Sequence, residues 1–122
     1  GTLQRLYNAN IQIHARSVFL QGLFYLSKEK LKNRFNELLV PIEKLKSISK
    51  ECNLTLSELS LLWLLSLKEV NKIIIGVDSL KQFKMHLMTV CKEVKNSVFE
   101  EALKIKSENK KLLNPALWNV KY

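Results

Sequence analysis

The sequence predicts an α/β fold on a parallel sheet, from three observations: an alternating run near its start, a short β-branched run near its middle, and helical patterns after each. From Asn10 the run Ile11-Gln12-Ile13-His14-Ala15-Arg16 alternates apolar and polar residues. Period two is the mark of a strand with two different faces, and this one is expected to end near Ser17. Lys72 to Val77 contains Ile73-Ile74-Ile75 with apolar residues on both sides of the pleat, as a strand buried on both faces requires. Strand, helices, strand, helices is the alternation of a parallel α/β architecture.

The elements follow in order. Val18-Phe19-Leu20-Gln21-Gly22 places a glycine a few residues past the first strand, where backbone is often needed in a tight turn or near a ligand. Pro41 suits the first position of a helix, where its missing amide costs nothing, and Ile42, Leu45, Ile48 and Cys52 then mark one buried face. Thr55-Leu56-Ser57-Glu58 reads as a capping box for a helix running to about Ser66, with Leu59, Leu62, Trp63 and Leu65 as core. Ser79-Leu80-Lys81-Gln82 repeats the device after the second strand, with Phe83, Leu87 and Val90 as the apolar face. Ser97-Val98-Phe99-Glu100 opens a last helix reaching about Asn109, and the apolar tail Leu112 to Trp118 is expected to pack on the body.

Composition sets bounds on function. The chain has 122 residues, 47% hydrophobic and 25% charged, ordinary values for a globular domain able to bury a core. Its longest apolar runs fall far short of the roughly 18 to 20 residues of a membrane span. The N-terminus lacks a signal-peptide pattern, so a cytoplasmic location is expected. Cys52 and Cys91 stand alone, without zinc-ligand spacing, and read as buried reduced thiols; no metal is implied. The net charge is +9, but 17 of the 20 basic residues are Lys, dispersed along the chain. That argues against nucleic-acid recognition, which favours clustered Arg. A solvated helix face is the plainer explanation.

The most specific local feature is Ile74-Ile75-Gly76-Val77-Asp78-Ser79 running into a capped helix. Exposed amides and the helix dipole at such a junction favour an anion. A tight turn at Gly76 and a plain cap at Ser79 account for the same residues without a ligand.

These residues resemble the aldo-keto reductase family. Ala15-Arg16-Ser17-Val18-Phe19-Leu20-Gln21-Gly22 is similar to that family's seventh-strand loop, and Ile75-Gly76-Val77-Asp78-Ser79 with Gln82 is similar to its eighth-strand loop and following helix. Asn114-Pro115-Ala116-Leu117-Trp118 resembles a common family ending, so the similarity extends in order from Asn10 onward. The resemblance implies the C-terminal part of a (β/α)8 TIM barrel, residues 1–122 being its last two strands and their helices, predominantly helical as a fragment, with the N-terminal half missing. Two strands with bare outer edges ask for completion by further strands.

The resemblance further implies an NAD(P)-dependent oxidoreductase that reduces a small aldehyde or ketone. Carried over, Ser17, Phe19 and Gly22 are candidates for the cofactor pyrophosphate; Gly76, Val77, Asp78, Ser79, Gln82 and His86 are candidates for its adenosine end. Asp78 stands where the family commonly has an arginine for the 2′-phosphate, so both NADP and NAD remain open. His86 stands in place of an asparagine; as a plain helical residue it would be a surface histidine. Arg16 and Val18 replace the usual aromatic and proline. The catalytic aspartate, tyrosine, lysine and histidine belong to earlier strands; Tyr7, Tyr25 and Tyr122 have no matching context, and His14 is expected to face the barrel interior or the helix layer as a structural residue. No catalytic residue is expected, and the chain alone should be inactive. Two other readings stand beside this one: a Lys-rich helical module binding nucleic acid or another acidic partner, and a truncated reductase-like subunit kept for protein contacts.

Overall fold

The computed structural model describes residues 1–118. Among them are six α-helices: α1 (Thr2–Asn8), α2 (Lys28–Arg34), α3 (Asn36–Glu51), α4 (Leu56–Ser66), α5 (Leu80–Thr89) and α6 (Asn96–Leu103). The sheet is a single parallel pair, β1 (His14–Ala15) with β2 (Lys72–Ile73). The expected portion of a (β/α)8 barrel is therefore overturned: the chain is mainly helical with a two-stranded sheet. The strands lie inside the runs that predicted them but shrink to two residues each. Among the described residues no third strand pairs with either one, so the ladder has no neighbour to extend it.

The residues divide into two compact units, Gly1–Val18 with Ser57–Val94, and Phe19–Leu56 with the chain from Lys95 on. In the first unit, β1 and β2 are joined by more than the ladder. Asn71 extends the pairing: its amide donates to the Ile13 carbonyl at 2.9 Å, and its side-chain oxygen accepts from the Ile13 amide at 2.7 Å. Lys72 and Ile74 donate to Ile13 and Ala15. Nothing in the alternation singled out Asn71, whose side chain here does the work of a backbone carbonyl. α1 buries no residue. It ends in a Schellman turn with Asn10 in the left-handed region (φ 55°) and the Ile11 amide reaching back to Leu6.

The second unit has its own core, in which Leu23, Leu31, Phe35, Leu38, Ile42 and Leu56 are buried together. α2 begins at a Ser27 cap, with Glu29 in its first turn and Lys32 and Arg34 in its last, each sign placed where the helix dipole favours it. A backbone hydrogen bond, and after it the Ser27 hydroxyl, hold the Glu29 carboxyl below its ordinary value. α3 starts at Asn36, not at Pro41, which lies inside it. A proline there forfeits one helical bond and costs about 3 kcal/mol. Burial of Leu38 and Ile42 on either side of Pro41 offsets that cost, each worth about 2 kcal/mol. The helix stops in a second Schellman turn: Asn53 has φ 56°, and the Leu54 amide bonds Ser49.

α6 also departs from expectation. It begins at Asn96 after Lys95, with no side-chain cap, and ends at Leu103 instead of about Asn109. Burial of Phe99 anchors it. Asn109 instead caps the short 3-10 turn Lys110–Leu113 and donates to the Glu37 carboxylate at 3.1 and 3.3 Å. The tail packs as expected: Trp118 lies with its ring 4.7 Å from that of Phe35, and its indole N–H donates to the Leu112 carbonyl at 3.0 Å.

Leu31 has no exposed surface. Leu31→Ala is expected to destabilise the second unit by about 3 kcal/mol through lost transfer energy and a residual cavity, measurable as a lower midpoint in urea unfolding with an unchanged slope.

Candidate functional site

The turn after β2 builds the site. Ser79 caps α5, its hydroxyl accepting from the Gln82 amide at 3.1 Å. Gln82 reaches back and accepts from the Asp78 amide at 2.7 Å. The reciprocal pair is the capping box legible in the sequence, shifted by one residue because Gln82 engages Asp78 and not the cap itself. These bonds pin residues 78 to 82 as one rigid element. Gly76 needs no glycine for its own sake: a Cβ there would meet nothing within 4 Å.

Asp78, Ser79 and Gln82 line an open depression of about 900 Å³. Lys81, Lys84 and Lys92 line it too, with Glu58 and the apolar Leu80, Met85 and Met88. Three ammonium groups thus line the same depression as one exposed carboxylate, Asp78, and one buried carboxylate, Glu58. The lysines are dispersed in the sequence, yet Lys81 and Lys84, three apart on α5, line one depression with Lys92, which follows the helix.

Glu58 is tied in from α4. Its carboxylate is buried and accepts from Lys92 Nζ at 2.7 Å. Thr89 Oγ1 donates to the Met85 carbonyl at 2.9 Å and lies 3.3 Å from Glu58 Oε1. The pair links α4 to the segment just after α5 through residues 34 apart in sequence, a contact that the local capping pattern around Glu58 did not announce.

His86 does not join the candidate site. It is 2% exposed, so it is no surface histidine, and it lines a different cleft, bordered by β2, α4 and α5. Burial pushes its imidazole below the ordinary value; the nearby Glu58 carboxylate pulls the other way without cancelling that effect. Phe83, Leu87 and Val90, expected in the core, are instead 45%, 52% and 49% exposed. The face of α5 that is buried carries His86 and Thr89. Leu65 of α4 is also largely exposed.

The other nominated positions are distributed. Ser17 has φ 60° and is exposed beside β1. Phe19 and Gly22 belong to the second unit. Phe19 is buried with its ring edge-on to Tyr25 at 5.8 Å, which removes it as an exposed platform for a nucleotide. Gly22 has φ 78° and donates its amide to the Phe19 carbonyl at 3.0 Å; that bond occupies the amide that a pyrophosphate would need. Leu20 and Gln21 also have positive φ, a strained conformation for side-chain-bearing residues. His14 is exposed, not inward. Cys52 is half-buried and Cys91 exposed, both free thiols, so neither is the buried packing residue expected. Tyr7 and Tyr25 are exposed; Tyr122 lies outside the described residues.

Comparisons with protein-family models, with curated proteins and with solved structures find no match to this chain. Among the described residues no helix is long and apolar enough to cross a membrane.

Two tests follow from these contacts. Lys92→Met leaves the buried Glu58 carboxylate without its cation and is expected to cost about 1 to 2 kcal/mol, less than a fully buried pair because Lys92 is half-exposed. Glu58→Gln with Lys92→Met should recover much of that loss in a thermal melt double-mutant cycle. For His86, the unfolded chain binds its proton more readily than the folded chain. Stability is then full above pH about 6.5 and falls as pH drops through and below that value, levelling off beneath the folded pKa. Thermal midpoints from pH 5 to 8 should show this slope, and His86→Gln should flatten it.

Proposed function

We propose that this chain is the C-terminal, cofactor-binding portion of an NAD(P)-dependent carbonyl-reducing oxidoreductase of the aldo-keto reductase type, and that it contributes binding without catalytic groups. The observation that carries the reading is the Gly76–Ser79 turn, pinned by Ser79 and Gln82 beside a depression lined by Lys81, Lys84 and Lys92. A dinucleotide needs both parts. Its phosphates are met by cations and by amides at a helix start. Its flat adenine is met by an apolar surface such as Leu80, Met85 and Met88 offer.

The site proposed is smaller than the resemblance implied. It comprises Gly76, Val77, Asp78, Ser79 and Gln82, with the three lysines added; His86 acts behind it as packing. Gly76 is proposed to admit a ligand close to the backbone of the turn, and a Cβ added there would meet no protein atom within 4 Å. Asp78 is proposed to accept hydrogen bonds from free ribose hydroxyls, as acidic residues do in other dinucleotide sites, and to oppose a 2′-phosphate. NAD is then favoured over NADP. Chemistry on the small carbonyl substrate would need groups that this chain does not supply, with hydride passing from the nicotinamide. The reading places the chain in the cytoplasm, where the free thiols of Cys52 and Cys91 would remain reduced.

Titration of the chain with NAD and NADP, followed by tryptophan fluorescence and by thermal midpoint in the same samples, tests this. Saturating NAD should raise the midpoint. Asp78→Asn should tighten NADP by about three- to tenfold through removal of one repulsive charge and weaken NAD. Gly76→Ala should leave the unliganded midpoint unchanged while weakening both nucleotides. A cooperative melt indifferent to both nucleotides would defeat the proposal.

A further inference from the structure

We propose that Glu58 is a specificity-determining residue of the depression beside the Gly76–Ser79 turn: its buried negative charge holds Lys92 and limits the anionic charge that a ligand can bring, so that a diphosphate is admitted and a more highly phosphorylated ligand is disfavoured. The inference rests on the nucleotide-binding reading for the place where phosphate sits, and it gives a role to a residue that the reading leaves without one.

The charges lining the depression are few. Lys81, Lys84 and Lys92 bring three positive charges and Asp78 and Glu58 two negative ones, so the lining carries one net positive charge. Asp78 is exposed, and water and salt screen much of its effect. Glu58 is buried. A buried charge acts through a lower effective dielectric and bears more strongly on a nearby ligand. His86, which also feels Glu58, is pushed below its ordinary value by burial and adds no cation at neutral pH.

The three lysines are not equivalent. Lys92 Nζ lies 2.7 Å from Glu58 Oε1, so at the distance of a ligand much of its field is cancelled. Lys81 and Lys84 are exposed, and among the described residues neither forms an ion pair. They are left to meet phosphate oxygens as point charges. Two such cations match the two charges of a dinucleotide's diphosphate. Each further phosphate brings charge that Glu58 repels and that no added cation of the lining offsets. Loss of the Glu58 charge would end that repulsion and release the field of Lys92 together. A carboxylate with a purely structural part would act otherwise: its loss would loosen α4 from the segment after α5 and weaken every ligand or none.

The test titrates the intact chain with inorganic pyrophosphate, inorganic tripolyphosphate and NAD by calorimetry, at neutral pH and low ionic strength because salt screens the effect. In the unaltered chain tripolyphosphate should bind no more tightly than pyrophosphate, a comparison that needs no variant. Lys84→Met should weaken pyrophosphate by about fivefold, which locates it in the depression. Glu58→Gln keeps a side-chain oxygen for the Lys92 ammonium and deletes the charge. It is expected to tighten pyrophosphate by about threefold and tripolyphosphate by about five- to tenfold, since repulsion scales with the charge of the ligand. Lys92→Met should weaken both phosphates. The double variant Glu58→Gln with Lys92→Met restores the net charge of the lining and should return both to within about twofold of the unaltered chain. A melt of each variant separates loss of folding from loss of binding. Weakening of either phosphate by Glu58→Gln, or equal tightening of both, would overturn the proposal. So would a double variant as weak as Lys92→Met, which would give Lys92 a direct contact, or tripolyphosphate bound more tightly than pyrophosphate by the unaltered chain. NAD that fails to bind while both inorganic phosphates behave as stated defeats the nucleotide reading and leaves this proposal standing. NAD that binds while Glu58→Gln leaves the phosphates unchanged does the reverse, and a chain that binds none of the three probes defeats both.

Discussion

The pairing of β1 with β2 is the constraint on which the first unit depends. It joins segments 58 residues apart through a ladder only two residues long, and so it cannot rest on the ladder alone. Asn71 supplies the reinforcement by giving and accepting a bond at the same residue, Ile13. Once the pair is made, the direction in which β2 leaves the sheet is set. The turn at Gly76 follows, and α5 begins where Ser79 can cap it. The phosphate-binding candidate is thus a consequence of strand pairing: the loop is aimed by the sheet and held rigid by its own cap.

A second constraint orients α5. Its sequence offers two faces, one carrying Phe83, Leu87 and Val90 and the other carrying His86 and Thr89. Hydrophobicity alone would bury the first. The polar face goes inward because Glu58, buried on α4, draws Lys92 and lies near Thr89. An unpaired buried carboxylate would cost several kcal/mol, comparable with the gain from burying one or two large side chains, about 1.5 to 3 kcal/mol each. The two are of similar size, so the outcome is settled by what else covers the apolar face. Among the described residues that face stays about half exposed.

This balance explains which features were legible in the sequence. Local signals held where they depended on a few consecutive residues. The Ser79–Gln82 box, the bounds of α4 and the apolar tail ending on Phe35 were all readable from spacing and composition. Signals that depended on partners elsewhere did not hold. Amphipathic spacing marked Phe83, Leu87 and Val90 as core, but spacing identifies an apolar face without naming what covers it. Pro41 reads as a helix start because a missing amide is harmless there, while burial of Leu38 and Ile42 carries the helix through it. The site was partly legible: Asp78, Ser79 and Gln82 gather on one depression as their spacing suggested. Lys92 and Glu58 were hidden because only tertiary packing brings residues 34 positions apart together.

The same reasoning bears on the barrel that the resemblance implied. A parallel strand buried on both faces reads as a continuous apolar run, and Ile73-Ile74-Ile75 is one. In the structure Ile74 is 55% exposed and only the first of the three isoleucines is within the strand. Composition here describes an environment that the described residues do not themselves provide. A run written for two covered faces, found with one face open, carries apolar surface in excess of what its own fold buries. That excess lies on β2 and α5, on either side of the turn from Gly76 to Ser79.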